Sequence, residues 1–116
     1  MLQDFCEERI DDVVVITIQI PDATLKQAQN FKRFMQAMIV KEEKKIVINC
    51  QGISYMDSTF LGSLVFSLKK MAAFGGELKL VLGRVESPVW TMFETTRMFR
   101  VFKIYPDTAS AVNSFA

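Results

Sequence analysis

The chain has 116 residues, half of them hydrophobic, which suits one domain with one core spanning residues 1–116. Lys and Arg number 14 against 13 Asp and Glu, with no histidine; the near balance leaves no strong field for nucleic acid or an anionic membrane, and the missing imidazole removes the commonest general base. No apolar run approaches the roughly 20 residues that span a bilayer, and the start Met-Leu-Gln-Asp-Phe-Cys-Glu-Glu-Arg lacks the basic-then-apolar form of a signal peptide, so a cytoplasmic protein is expected.

Residues 5–10 and 12–20 read as two strands of a hairpin meeting at Asp11-Asp12, the second carrying Val13-Val14-Val15-Ile16-Thr17-Ile18. Pro21 ends that strand, and Thr24-Leu-Lys-Gln27 has the form of a capping box that opens a helix. Leu25, Ala28, Phe31, Met35, Met38 and Ile39 recur at three and four residues as its inward face, with Lys26, Lys32 and Arg33 in water. The run Lys41–Lys45 closes it. Ile46-Val47-Ile48-Asn49-Cys50 is apolar throughout, the mark of a central strand with helices on both sides of its sheet. Cys6 and Cys50 both lie in or beside apolar segments and read as buried thiols, with neither a disulfide nor a metal expected.

A second helix follows Asp57, with Leu61, Leu64, Val65, Leu68 and Met71 or Ala72 in register and Gly75-Gly76 as its left-handed stop. Leu78, Leu80 and Leu82 make a fourth strand. Ser87-Pro88 pairs a cap with a first-turn proline, starting a short helix with Val89, Met92 and Phe93 inward. Val101–Tyr105 is the fifth strand, and Asp107 caps a last helix with Val112 and Phe115 facing the core. The order ββαβαβαβα predicts an α/β fold: a mixed, mostly parallel five-stranded sheet with an antiparallel edge strand and about four helices. Ligands and partners of such sheets meet loops at the carboxyl ends of the strands, and residues 51–58 form one such loop.

Within it, Asp57-Ser58-Thr59 opens the second helix, where unpaired amides and the positive helix end favour an anion such as a phosphate esterified to Ser58. On spacing alone, Asp57 or Ser58 serves equally as an ordinary helix cap. Phe66, Lys69 and Lys70 fall on the face turned away from the core. They suit a protein partner, and equally the wet side of any amphipathic helix. The methionines occupy helical core positions and read as gap fillers.

Ser-Tyr-Met-Asp-Ser-Thr-Phe-Leu-Gly, residues 54–62, resembles the phosphorylation loop of the STAS-domain anti-sigma factor antagonists of bacteria, usually Asp-Ser-Ser/Thr-Gly-Leu-Gly. The Ile-Val-Ile-Asn and Gly-Gly-Glu-Leu-Lys-Leu strands are also similar to that family, as is Met92-Phe93-Glu94-Thr95-Thr96, where the family has Leu-Phe-Asp-x-Thr. The resemblance covers nearly the whole chain. It implies a signal-transduction phosphoprotein of transcription regulation that works by partner switching. The unphosphorylated form binds a serine kinase that is also an anti-sigma factor, phosphorylation of Ser58 ends that binding, and a serine phosphatase resets it. Asp57 would orient the hydroxyl or the kinase's nucleotide site. The phosphorylation loop and partner surface would include Met56, Asp57, Thr59, Phe60, Ser63, Asp22 and Thr24, in a monomer or weak dimer without cofactor, metal or membrane insertion.

Three positions depart from the family pattern. Phe60 replaces a glycine and serves either as a partner anchor or as core. Thr24 stands where the family has a loop aspartate, with Asp22 as its possible substitute. Arg97 replaces the glycine of a Thr-Gly-Leu segment. Phe60 and the missing aspartate favour a rival expectation, a permanent, unphosphorylated STAS-like subunit of a larger regulatory or transport assembly.

Overall fold

The computed structural model describes residues 3–116. Strands β1 (Phe5–Ile10) and β2 (Val13–Ile18) form the expected hairpin, in antiparallel register from Phe5 opposite Ile18 to Ile10 opposite Val13. The chain then runs through β3 (Asp22–Ala23), α1 (Leu25–Val40), β4 (Lys45–Asn49), β5 (Tyr55–Met56), α2 (Ser58–Ala73), β6 (Glu77–Val81), α3 (Pro88–Thr95), β7 (Lys103–Tyr105) and α4 (Thr108–Asn113). The main sheet has five strands in the order β1-β2-β4-β6-β7, parallel from β2 onward. This is the expected mixed α/β sheet with its antiparallel edge.

Alternation in the central strands divides the core in two. Val14, Ile16, Ile18, Ile46, Ile48, Leu78, Leu80 and Leu82 join one apolar cluster with Ala28, Phe31 and Met35 of α1, Leu61, Leu64 and Met71 of α2, and Val89 and Phe93 of α3. Val13, Val15, Val47 and Val81 point to the other face, where Ala111 and Val112 of α4 meet them. Three helices thus cover one face and a single short helix the other. Lys79 belongs to the thinly covered face and is only 4% exposed. Its ammonium donates to Ser114 Oγ at 2.8 Å and lies 4.0 Å from the Phe115 ring centroid.

Helix starts follow their sequence signals. Thr24 and Gln27 form the reciprocal capping box of α1, Ser87 Oγ accepts from the Trp90 amide at 3.2 Å, and Asp107 Oδ1 accepts from the Ser110 amide at 2.7 Å. The bonds from Ser110 hold the Asp107 carboxyl below its ordinary value. Gly75, at φ 87°, supplies the left-handed residue after α2.

Four expectations are corrected. Leu25 is 65% exposed, because at the first position of α1 its side chain precedes the packed stripe. Cys6 is exposed on the edge strand, whereas Cys50 is buried and its thiol is pushed up to about 12 by desolvation. The second strand stops at Ile18, and the next residues cross to a separate two-stranded sheet of β3 and β5. The fifth strand begins at Lys103, since Met98–Arg100 form a 3₁₀ turn that leaves Val101 46% exposed. No helix among the described residues is long and apolar enough to cross a membrane.

Candidate functional site

Two loops at the carboxyl ends of β2 and β4 are drawn together by the small parallel sheet. Asp22 lies opposite Tyr55 and Ala23 opposite Met56, while the Ser54 amide donates to the Pro21 carbonyl at 2.7 Å and the Asp57 amide to that of Ala23 at 3.0 Å. Each of these strands is two residues long. A helix starts directly after each, so the N-termini of α1 and α2 emerge side by side.

Asp57 joins them. It is extended, at φ −91° and ψ 171°, and its Oδ1 accepts from the Phe60 amide at 2.8 Å, capping its own helix. Its Oδ2 accepts from the Leu25 amide, also at 2.8 Å, in the first turn of the other helix. One carboxylate therefore satisfies unpaired donors of two helices, in the positive field of both ends. Both of its oxygens are committed to backbone.

With Asp57 as the cap, Ser58 is not needed for that task. Ser58 is the exposed first residue of α2, and among the described residues its hydroxyl has no hydrogen-bond partner. Thr59 is exposed beside it. The amides of Ser58 and Thr59 precede the first capped donor of the helix, so an anion on Ser58 Oγ would meet open N–H groups and the positive ends of two helices. Asp22 is exposed on the neighbouring β3, and Thr24 is half-buried as the cap of α1. Thus Asp22, Thr24, Asp57, Ser58 and Thr59 come together at one rim.

Three residues expected at the partner surface are not on it. Met56 is buried against the main core, Phe60 is fully buried with its ring centroid 5.2 Å from that of Phe31, and Ser63 is buried with its hydroxyl donating to the Phe60 carbonyl at 2.6 Å. Phe60 therefore serves as core: its ring fills the seam between α1 and α2. Fully buried in this structure, it cannot anchor a partner.

Phe66 is 42% exposed, as its helical position predicts, and its ring is shared by two ammoniums, Lys70 at 5.3 Å and Lys32 of α1 at 4.9 Å. Sequence reasoning placed Lys32 in water without seeing that it reaches across to α2. The available signal was charge segregation, since neither helix contains an Asp or Glu. A separate groove of about 750 Å³, bordered by Gln51, Ser54, Arg84, Val85 and Pro88, opens nearby, and Ser58 does not line it.

The family model of the STAS domain matches residues 7–111. Among solved structures, the chain is similar to a protein of Thermotoga maritima described as a candidate anti-sigma factor antagonist, with 24% identity, 95% of this chain and 92% of that one covered, and a TM-score of 0.79. It is also similar to an anti-sigma factor antagonist from Mycobacterium paratuberculosis, with 16% identity, coverages of 95% and 91%, and a TM-score of 0.84. The phosphorylated form of the Bacillus cell fate determinant SpoIIAA matches at 17% identity, coverages of 97% and 99%, and a TM-score of 0.71. At these identities the likeness is one of fold.

Proposed function

The chain belongs to the STAS-domain family, and from that premise we propose that it is a non-enzymatic anti-sigma factor antagonist switched at Ser58. In this reading the unphosphorylated protein, a single domain working in the cytoplasm, binds a serine kinase that doubles as an anti-sigma factor. The kinase phosphorylates Ser58 and lets go, and a serine phosphatase restores the binding form.

The observation that carries the reading is the free, exposed Ser58 hydroxyl at the convergence of two helix N-termini, released from capping by the doubly bonded Asp57. A phosphoserine brings a charge of about −1.5 to −2 and three acceptor oxygens. The open amides of the first turn suit those oxygens and would hold the phosphate in place without rebuilding the fold. Those amides bond its oxygens but do not cancel its charge, so in an interface evolved around a neutral hydroxyl the charge is desolvated without a counter-ion, and each ~1.4 kcal/mol of that cost is a tenfold loss of affinity. Asp57 acts as the brace that aims α2, and Asp22, Thr24 and Thr59 form the rim that a kinase would touch. The rival reading, a permanent subunit of a larger assembly, drew on Phe60 and on the missing loop aspartate; burial of the Phe60 ring removes the first support, and Thr24 in place of the aspartate is the one it keeps.

Incubation with the cognate serine kinase and ATP should add one phosphate, located at Ser58 by mass spectrometry and absent from Ser58→Ala. Ser58→Asp should lose the kinase complex. A wild-type chain that gains no phosphate, or a Ser58→Asp chain that binds the kinase undiminished, would refute the switch.

A further inference from the structure

Helices α1 and α2 together carry five basic residues, Lys26, Lys32, Arg33, Lys69 and Lys70, and no acidic one, in a chain whose formal charge is only +1. Among the described residues the ion pairs are Arg9 with Glu43, Lys45 with Asp12 and Lys103 with Glu77, so none of the five is neutralised by a carboxylate. Lys32 and Lys70 are instead gathered over the single Phe66 ring. Each such contact is worth only about 0.5–1 kcal/mol at an exposed site, and the two ammoniums repel each other. The face is therefore charged, partly apolar and unsatisfied within the domain.

Gly62 lies one turn before Phe66 on the same helix. A Cβ built there would meet nothing within 4 Å, and its φ lies outside the left-handed range. A glycine inside a helix costs about 0.5–1 kcal/mol relative to alanine, and nothing in the domain requires this one. Its effect is a bare stretch of helix backbone between Ser58 and Phe66, open to close approach from outside.

We propose that the outer face of the α1–α2 pair, from Ser58 past Gly62 to Phe66, Lys69 and Lys70, docks an acidic segment of a protein partner. Carboxylates of that segment meet the unpaired Lys and Arg groups, and an apolar side chain rests on Phe66. The choice of a protein as occupant rests on the partner-binding reading above. A lipid surface fits less well: the large exposed apolar residues of α1, Leu25 and Val40, stand at opposite ends of the helix, about 22 Å apart along its axis, and form no patch to insert. The proposal also gives the switch a physical route. A phosphate on Ser58 places negative charge at one end of a face that attracts negative charge, where repulsion acts over a screening length of about 8–10 Å.

The test uses the full chain and a fluorescent peptide of glutamates interrupted by leucines. Lys69→Glu/Lys70→Glu should weaken peptide binding about tenfold or more, and Phe66→Ala severalfold. Lys41→Glu/Lys44→Glu changes net charge equally just outside the face and should leave binding within about twofold, with circular dichroism confirming that each variant is folded. Equal losses from the on-face and off-face reversals, no peptide binding even at low salt, or stronger binding to phosphatidylserine vesicles through the same lysines each overturns the proposal. Peptide binding needs neither kinase nor ATP. A chain that docks the peptide through this face but takes no phosphate loses only the switch, and one that takes phosphate at Ser58 without face-dependent docking loses only the acidic partner.

Discussion

Arg97 stands at φ 60° and ψ 30°, in the left-handed region, just after Thr96, the C-terminal cap of α3. A side chain with a Cβ is strained there by roughly 1 kcal/mol, and the glycine that the family resemblance places at this position would relieve it. Arg97→Gly should therefore stabilise the domain by about 0.5–1 kcal/mol, seen as a higher urea midpoint with an unchanged slope. The departure was legible in the sequence, but its cost was not, because a backbone angle cannot be read from residue identity. The cysteines make a similar point: both sit in apolar surroundings along the chain, yet only Cys50 is enclosed once strands pair. Cys6 should react with a thiol reagent in the native protein and Cys50 only on unfolding. Since burial raises the Cys50 thiol to about 12, its contribution to stability is intact below the unfolded value near 9 and declines as pH rises toward 12. Alkaline unfolding of wild type should begin earlier than that of Cys50→Ala when both are followed by circular dichroism.

At the scale of elements, the helices and the five-stranded sheet were legible because period and caps agree. Thr24, Asp57, Ser87 and Asp107 all cap where the sequence places caps. What escaped were features made by two distant segments at once. The strands β3 and β5 are each two residues long, too short for any periodicity, and exist only because they pair with each other. Asp57 reads locally as the cap of one helix, and its second bond, to the Leu25 amide, spans 32 positions of sequence. Phe60 could not be assigned to core or surface until α1 supplied Phe31 as its neighbour. Asp57→Ala should thus strip donors from two helices and cost about 2–3 kcal/mol, more than the ~1 kcal/mol of a single cap. Hydrogen exchange should quicken at Leu25 as well as at Phe60. If only the amide of Phe60 loses protection, the bridge between the helices has no energetic weight.

For the whole molecule, the division into a face under three helices and a face under one sets where stability is concentrated. Lys79 sits in the thin layer, its charge met by a hydroxyl and two aromatic rings, Phe115 and, farther off at 5.7 Å, Tyr105, with no carboxylate among its described contacts. Removing a charge from water into such a setting is costly even when it is hydrogen-bonded, and an apolar side chain of similar length avoids the cost. Lys79→Met should therefore leave the fold unchanged and raise stability by about 1–2 kcal/mol, measured by thermal or urea unfolding. A lower stability would mean that the ammonium ties Ser114 and Phe115 down more strongly than it suffers from burial. The alternation of β6 announced which way Lys79 points, but whether that side was wet depended on where the final helix lands. That helix, α4, follows every strand it covers. During synthesis the sheet's valines Val13, Val15, Val47 and Val81 consequently remain uncovered after the strands themselves have emerged from the ribosome. The nascent chain passes through a stage with a sticky, half-roofed sheet, and that stage is where chaperone capture or aggregation would act.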